Sequence, residues 1–577
     1  MRKLKSLLSF LLCVAIMMST IGCTKESEHE HKGVHRSAIE STCTSLGKVE
    51  HWQCVICDKL FADEACTEEI DTFVEPQKPH SLTRHAEKLA TETESGNIEY
   101  WTCDVCDKFF SDENGKSEIS EKDTALYSLA SLVDFIVEVP ADRDPIILQL
   151  ADPQLMDSAS KPLTDASSNA YWTFEDESSA KAGVKGKYAL CYDFITEVIE
   201  KTKENHNGAL DLILITGDVI YGSYDNDGHM LADFVNFMET FDIPWAPIMG
   251  NHDVEGDIGA DWICEQYENA PNCLFEQGDL KGNGNYTIGI KQNDELKRVF
   301  FNMDTNGCTG ASTNSTSNGH TVTKNNNDYR KDIGTYGLQQ DQVKWFNETA
   351  ESIKTFVPSV KISLHIHIPM KYFYVAYNEA YKNLLGTDYV AAVVNGVVNN
   401  GKDKDYVFNG VNTTGRVLYP DRVVGHGEGD FGFLTTLYQS INFTPDFWDD
   451  ALTNDAISGA TGDHAIFKQI KAAGTDSIFV GHWHANSASI VYDGIRFQYG
   501  QKCSLYDSVP LMLSDGSIIS KGAGYGLPMG STVLIGGSVI PLDKYTGDIL
   551  TPYTQYCEGF GAEINWGALK NTIGTVA

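Results

Sequence analysis

Positive charge is scarce in this sequence: 44 Lys and Arg stand against 80 Asp and Glu, giving a formal net charge of -36. That balance disfavours long nucleic acids and anionic lipid surfaces as partners, so any phosphate site must be locally positive. No basic cluster is present to follow a polyanion backbone. Long apolar runs are missing too, since no internal stretch approaches the ~20 residues of a membrane-spanning helix. A body outside the bilayer is predicted. Apolar material is nevertheless ample: 42% of the 577 residues are hydrophobic, enough for a sizeable core, and the length suits about three or four domains.

The first residues read as a processing signal. Arg2, Lys3 and Lys5 precede an apolar run from Leu7 to Met18, followed by Thr20-Ile21-Gly22-Cys23. The pattern resembles a bacterial lipoprotein signal over residues 1–23, with Thr20 looser than the usual leucine. It implies export and a lipid anchor to the membrane through Cys23, at the cell surface or in the periplasm. An ordinary signal peptide with Cys23 incidental is the alternative, and it exports the chain equally.

An internal duplication follows. The run from Glu50 to Lys59, with Trp52, Cys54 and Cys57, returns from Glu99 to Lys108 with Trp101, Cys103 and Cys106. Gly47 aligns with Gly96, His31 with His80 and Phe61 with Phe110, so two modules span 28–75 and 77–123. Each has a C-x-x-C knuckle and upstream histidines, His31 and His35 in the first and His80 and His85 in the second. Soft thiolates with imidazole suit tetrahedral zinc, and a small zinc-ribbon-like module needs such a staple. Cys43 is a candidate extra ligand in the first copy; Glu92 stands at its place in the second. His29 reads as a solvated residue. Disulfides, Cys54 to Cys57 or Cys43 to Cys66, are the competing reading in an oxidising compartment. The modules look like short Cys/His units of bacterial surface proteins, which implies a cell-surface partner.

Beyond the linker at Val139 to Asp142 the pattern becomes α/β. Strand-like runs at 145–150, 211–216, 245–249, 360–366 and 477–480 alternate with helix-like segments at 189–203 and 230–241. Polar residues sit at each strand exit: Asp152 and Gln154, then Gly217-Asp218, then Gly250-Asn251-His252-Asp253, then His367, then Gly481-His482-Trp483-His484. Open α/β sheets place ligands at the carboxyl ends of their strands, where residues distant in sequence meet.

These five blocks, in this order over about 143–510, resemble the calcineurin-like metallophosphoesterases. The resemblance implies a four-layer α/β/β/α sandwich and hydrolysis of a phosphate ester by a hydroxide held between two metal ions about 3.5 Å apart. Mn, Fe or Zn, divalent or mixed-valence, suit carboxylate, amide and imidazole ligands. Carried over by position, Asp218 bridges the metals. Asp152 and His484 complete one, and Asn251, His367 and His482 the other. His252 assists the departing oxygen and Asp253 orients its imidazole. His365 is expected to support the site or pack in the core.

Two departures qualify that expectation. Gln154 replaces the histidine of D-x-H, which weakens the first metal site. Tyr221, in Gly217-Asp218-Val219-Ile220-Tyr221, fits the G-D-x-x-Y of purple acid phosphatases and is a candidate metal ligand, or else a packed aromatic. Inserts at 307–328 and 372–463, the latter with His426-Gly427-Glu428, are expected to shape a pocket, and 511–577 to add strands. A small phosphomonoester is the expected substrate. The alternative is a catalytically weak, surface-anchored protein that binds metal and a phosphate ligand.

Overall fold

The computed structural model describes residues 29–155, 187–222, 227–255, 258–306, 338–370, 430–434, 459–505 and 529–566, with short segments between 316 and 321, 372 and 380, 405 and 414, and 509 and 521. Cys23 and the rest of the signal segment, His426, and most of both inserts lie outside these residues. Among the described residues no helix is long and apolar enough to cross a membrane. The chain divides into two compact units: one runs to Ala90 and resumes over Ser95–Leu126, and the other holds Thr91–Glu94 and everything from Tyr127.

In the first unit both repeats fold alike. Strands Gly33–Arg36, His51–Cys54, Leu60–Phe61 and Glu69–Ile70 form one antiparallel sheet, and Leu82–His85, Tyr100–Cys103, Phe109–Phe110 and Glu118–Ile119 form its copy in the same order. Each knuckle turns directly off a strand end. Asp58 and Asp107 follow the second cysteine with φ of 58° and 57°, a left-handed conformation that Asp tolerates. Such sheets bury little, and their cores centre on the cysteines with Phe61 or Phe110.

The second unit is built on two sheets. In the five-stranded one, Trp245–Pro247, Leu212–Ile215 and Ile146–Leu150 run parallel, and Gly536–Pro541 and Tyr553–Tyr556 continue the sheet antiparallel. Helices Lys187–Asn205 and His229–Glu239 make the crossovers. Parallel strands require such crossovers, and they leave all three carboxyl ends on one edge. The eight-stranded sheet has Glu295–Met303, Lys361–Ile366 and Thr475–Val480 parallel at its centre.

Alternation along these strands makes two cores. Phe300 and Phe479 join a core with Ile213, Leu214 and Ile147 of the other sheet, whereas Val299, Phe301, Ile478 and Val480 pack with Phe346, Ile353 and Ile470 of helices Gln340–Phe356 and Gly459–Ala472. Helix, sheet, sheet and helix therefore stack as four layers, the mixed α/β sandwich expected from the sequence. Observed helices and strands begin and end within one or two residues of the expected runs, and the C-terminal Gly536–Pro541 lies inside the first sheet.

Candidate metal centre

Backbone strain marks the strand exits. Asp152, Gln154, Asp218 and His482 take φ of 53°, 47°, 50° and 73°, a region that costs a non-glycine residue roughly 1–3 kcal/mol and gathers at functional sites. Glycines make the approach feasible: a Cβ on Gly217 would lie 2.5 Å from His367 Nδ1, and one on Gly250 would lie 2.1 Å from Asp218 Oδ1. The glycines of both motifs thus let two loops close on one carboxylate.

Backbone amides then fix the acids. The His252 N–H donates to Asp218 Oδ1 at 2.8 Å and the His482 N–H to Asp152 Oδ1 at 3.0 Å. Asp152 and Asp218 are both buried. His367 donates Nδ1–H to the Thr216 carbonyl at 2.8 Å, so its Nε2 lone pair faces inward, as in many metal-bound histidines. That Nε2 stands 3.2 Å from Asp218 Oδ2 and 3.1 Å from Asn251 Oδ1. Oxygen acceptors this close to Nε2 call for a cation between them, a metal ion or the ring's own proton. The pocket's demand for positive charge is visible in His367 itself, which burial would discharge but which the carboxylates of Asp218 and Asp152 raise to about 9.

The ligand atoms form two overlapping clusters, each within 4.8 Å: Asp218, His367 and His482, and Asp152, Asp218 and His484. Asp218 belongs to both. His482 Nδ1 is buried without a hydrogen-bond partner among the described residues. These donors suit two hard or borderline cations sharing one carboxylate.

The sequence profile described as calcineurin-like phosphoesterase matches residues 146–396. The chain carries a calcineurin-like phosphoesterase domain. Its profile match stops short of His482 and His484, which the structure returns to the same site from the eight-stranded sheet. The domain resembles an uncharacterised protein of Schizosaccharomyces pombe, 25% identical over 164 residues, covering 28% of each chain. It also resembles a probable inactive purple acid phosphatase of Arabidopsis thaliana, 25% identical over 134 residues, covering 22% of this chain and 33% of that one. The chain thus spans about a third or less of those relatives. A putative 5'-nucleotidase from Staphylococcus aureus matches at 9% identity and a TM-score of 0.34, over 74% of this chain and 58% of that chain.

One residue of the phosphoesterase domain departs from its expected place. Asp253 does not orient His252: its carboxylate accepts the N–H groups of Asp218, Ile220 and Gly250 at 3.0, 3.0 and 2.7 Å and ties the two loops together. Burial and the Asp218 charge push this carboxyl up to about 7, against the pull of those amides. Glu255 takes the orienting place instead, with Oε2 2.9 Å from His252 Nδ1. The Tyr221 ring stacks on the His252 imidazole, centroids 4.1 Å apart.

Gln154 is engaged by a residue that sequence reasoning missed. Lys502, fully buried, donates from Nζ to the Asp152 carbonyl at 2.9 Å and to Gln154 Oε1 at 3.3 Å. The same signal that singled out the other residues applied to it: Lys502 is a polar residue just past a strand, Ile495–Tyr499, parallel to Thr475–Val480. His365 is a buried support. Its Nδ1–H donates to Asn302 Oδ1 at 2.7 Å, leaving Nε2 to accept from Thr216 Oγ1 at 3.0 Å.

In the front repeats the structure regroups the expected ligands. His29, His31, Cys54 and Cys57 form one cluster, and Cys43, His80, Cys103 and Cys106 the other, each within 4.8 Å. His35 and His85 stand apart, His35 paired with Glu50 at 2.6 Å and His85 bonded to Thr102 at 2.9 Å and stacked on Tyr100. In register, His35 faces Trp52 and His85 faces Tyr100 across the sheet, so neither points to its knuckle. His29, expected in solvent, joins the first cluster. The described cysteines are all free thiols, and Cys43 lies beside Cys103, not Cys66.

Proposed function

We propose that this chain is a metal-dependent phosphoric ester hydrolase acting on a small phosphomonoester. The observation that carries the proposal is the convergence of His367 Nε2, Asp218 Oδ2 and Asn251 Oδ1 beside the half-buried imidazole of His252. Asp152, Asp218 and His484 would hold one ion and Asp218, Asn251, His367 and His482 the other, with Gln154 at the weak position. Bound there, two ions would supply the positive charge that neutralises phosphoryl oxygens and makes water a nucleophile near neutral pH.

The chain's own groups do the rest. Asp253 keeps the Asp218 and Gly250 loops at fixed separation, and Glu255 stabilises a protonated His252. As the ester bond breaks, the leaving oxygen takes the Nε2 proton, and His252 remains neutral with Nδ1–H on Glu255. The monoester class rests on the acidic net charge and the lack of any basic cluster in the sequence for a polymer. Export and anchoring through Cys23 rest on the sequence of residues 1–23, and a surface partner for the repeats on their resemblance.

Lys502 favours one second reading. A buried ammonium against Gln154 disfavours a cation at the Asp152 position, which suits a protein that binds metal and phosphate with little turnover. The deciding experiment is phosphate release from monoesters and diesters by metal-replete protein, with metal content measured in parallel. Turnover that Asp218→Ala or Asn251→Ala abolishes supports the hydrolase. Metal and phosphate binding without release supports the second reading, and release from diesters only after an added phosphatase removes the monoester class.

A further inference from the structure

The second repeat does not complete a four-ligand metal site from its own residues, because Lys78 stands where the first repeat has His29. Its own residues in that cluster are His80, Cys103 and Cys106. The fourth ligand atom in that cluster is the Cys43 sulfur, contributed by the first repeat. Cys43 and Cys103 are buried, and Cys106 and His80 partly so. In the first repeat His29, just upstream, fills the corresponding place beside His31, Cys54 and Cys57.

The distances fit a tetrahedron. Zinc bonds of about 2.3 Å to sulfur and about 2.05 Å to nitrogen at tetrahedral angles place sulfurs roughly 3.8 Å apart and sulfur and nitrogen roughly 3.6 Å apart. Cys43 Sγ and Cys103 Sγ are 3.8 Å apart, and Cys106 Sγ and His80 Nδ1 are 3.6 Å apart. In the first cluster Cys54 Sγ to His29 Nε2 and Cys57 Sγ to His31 Nδ1 are both 3.5 Å. A disulfide would instead hold two sulfurs near 2.05 Å. His31 and His80 also rest on Phe61 and Phe110, centroids 4.7 and 4.6 Å away, so each ring is held with its nitrogen toward the knuckle.

We propose that the front unit holds two interlocked tetrahedral sites for Zn²⁺ or a similar soft divalent cation, one of His29, His31, Cys54 and Cys57, the other of His80, Cys103, Cys106 and Cys43. The second ion is a cross-link between repeats: it ties two small sheets that have little core of their own, and its loss should loosen the second repeat through a residue of the first. This centre is separate from the phosphoesterase site, and neither depends on the other being active.

The full-length chain loaded with Co²⁺ tests it, because the sulfur-to-cobalt charge-transfer band reports only thiolate-bound ions and is blind to the Asp/His centre. Two such ions are expected per chain. Cys43→Ser should weaken one at least tenfold against a competing chelator and expose Cys103 and Cys106 to alkylation, while Cys54 and Cys57 stay protected; His29→Ala should do the reverse. Cys43→His should restore protection of Cys103 and Cys106, which separates a lost ligand from a misfolded variant. Exposure of Cys54 and Cys57 by Cys43→Ser, fewer than two thiolate-bound ions, or thiols of either cluster that resist alkylation in denaturant without reductant would each overturn the proposal.

Discussion

His252 Nδ1 lies 2.9 Å from Glu255 Oε2, and the two side chains are only 18% and 19% exposed. The pair spans a single helical turn, so the imidazole of the Gly250-Asn251-His252-Asp253 motif is oriented from within its own loop. Glu255→Gln keeps the shape but removes the charge that stabilises an imidazolium. It should lower turnover of an alkyl phosphate about tenfold, and His252→Ala about 10²-fold or more, with much smaller losses on nitrophenyl phosphate, whose leaving group needs no proton. Equal losses on both substrates would remove His252 from the acid role.

Asp253 is a structural brace. Replacement by Ala leaves three buried amides without their acceptor, at a cost of about 1–3 kcal/mol for each that finds no water. The melting temperature should fall even in metal-free protein. A drop seen only in metal-loaded protein would mean that Asp253 acts through the metals.

His365 gives the protein an acid-sensitive core. Burial and the neighbouring His367 depress its pKa to about 3, against about 6.5 in an unfolded chain. Between those values the unfolded chain binds the extra proton, so this contribution to stability is complete above pH about 6.5 and falls away as the pH drops toward 3. His365→Gln should flatten the acid limb of stability against pH by about one proton, measured by denaturation from pH 4 to 7. An unchanged slope would show that His365 is not the group being protonated.

Lys502 opposes a cation at the Gln154 side of the centre. Lys502→Met should tighten the weaker of the two non-thiolate metals, by about tenfold if the relief is on the order of 1.4 kcal/mol. Stability should fall, because the Asp152 carbonyl and Gln154 Oε1 lose their donor. Metal titration by calorimetry reads the first effect and thermal unfolding the second, and weaker metal binding would instead make Lys502 a support of the site.

Chelation should destabilise the centre selectively. Stripping metal leaves only the His367 proton in place of a divalent ion between Asp218 and Asn251, so the melting temperature should drop and recover on adding Mn²⁺ or Zn²⁺. Asp218→Asn should make it insensitive to the chelator, apart from any share the thiolate sites contribute.

The sequence by itself determined the layered architecture and which strand exits carry the polar residues of the candidate metal centre. Alternating apolar runs specify strands locally, and each motif follows directly on the strand that delivers it, so Asp152, Asp218, Asn251, His367, His482 and His484 were legible without knowing the strand order. Two glycines announced the tight approaches because only a missing Cβ fits beside Asp218 and His367. Tertiary structure alone decided the partnerships. Glu255 and Asp253 are two residues apart in one short turn, and only its rotation puts one against His252 and the other against three amides. Lys502 reaches Gln154 across 348 positions of sequence. Cys43 joins Cys103 and Cys106 because the packing of two repeats, not the spacing within one, sets which sulfurs meet. Local periodicity encodes which face a side chain takes on its own element, whereas a contact between elements depends on where the chain returns, and that is fixed only when the sheets pack.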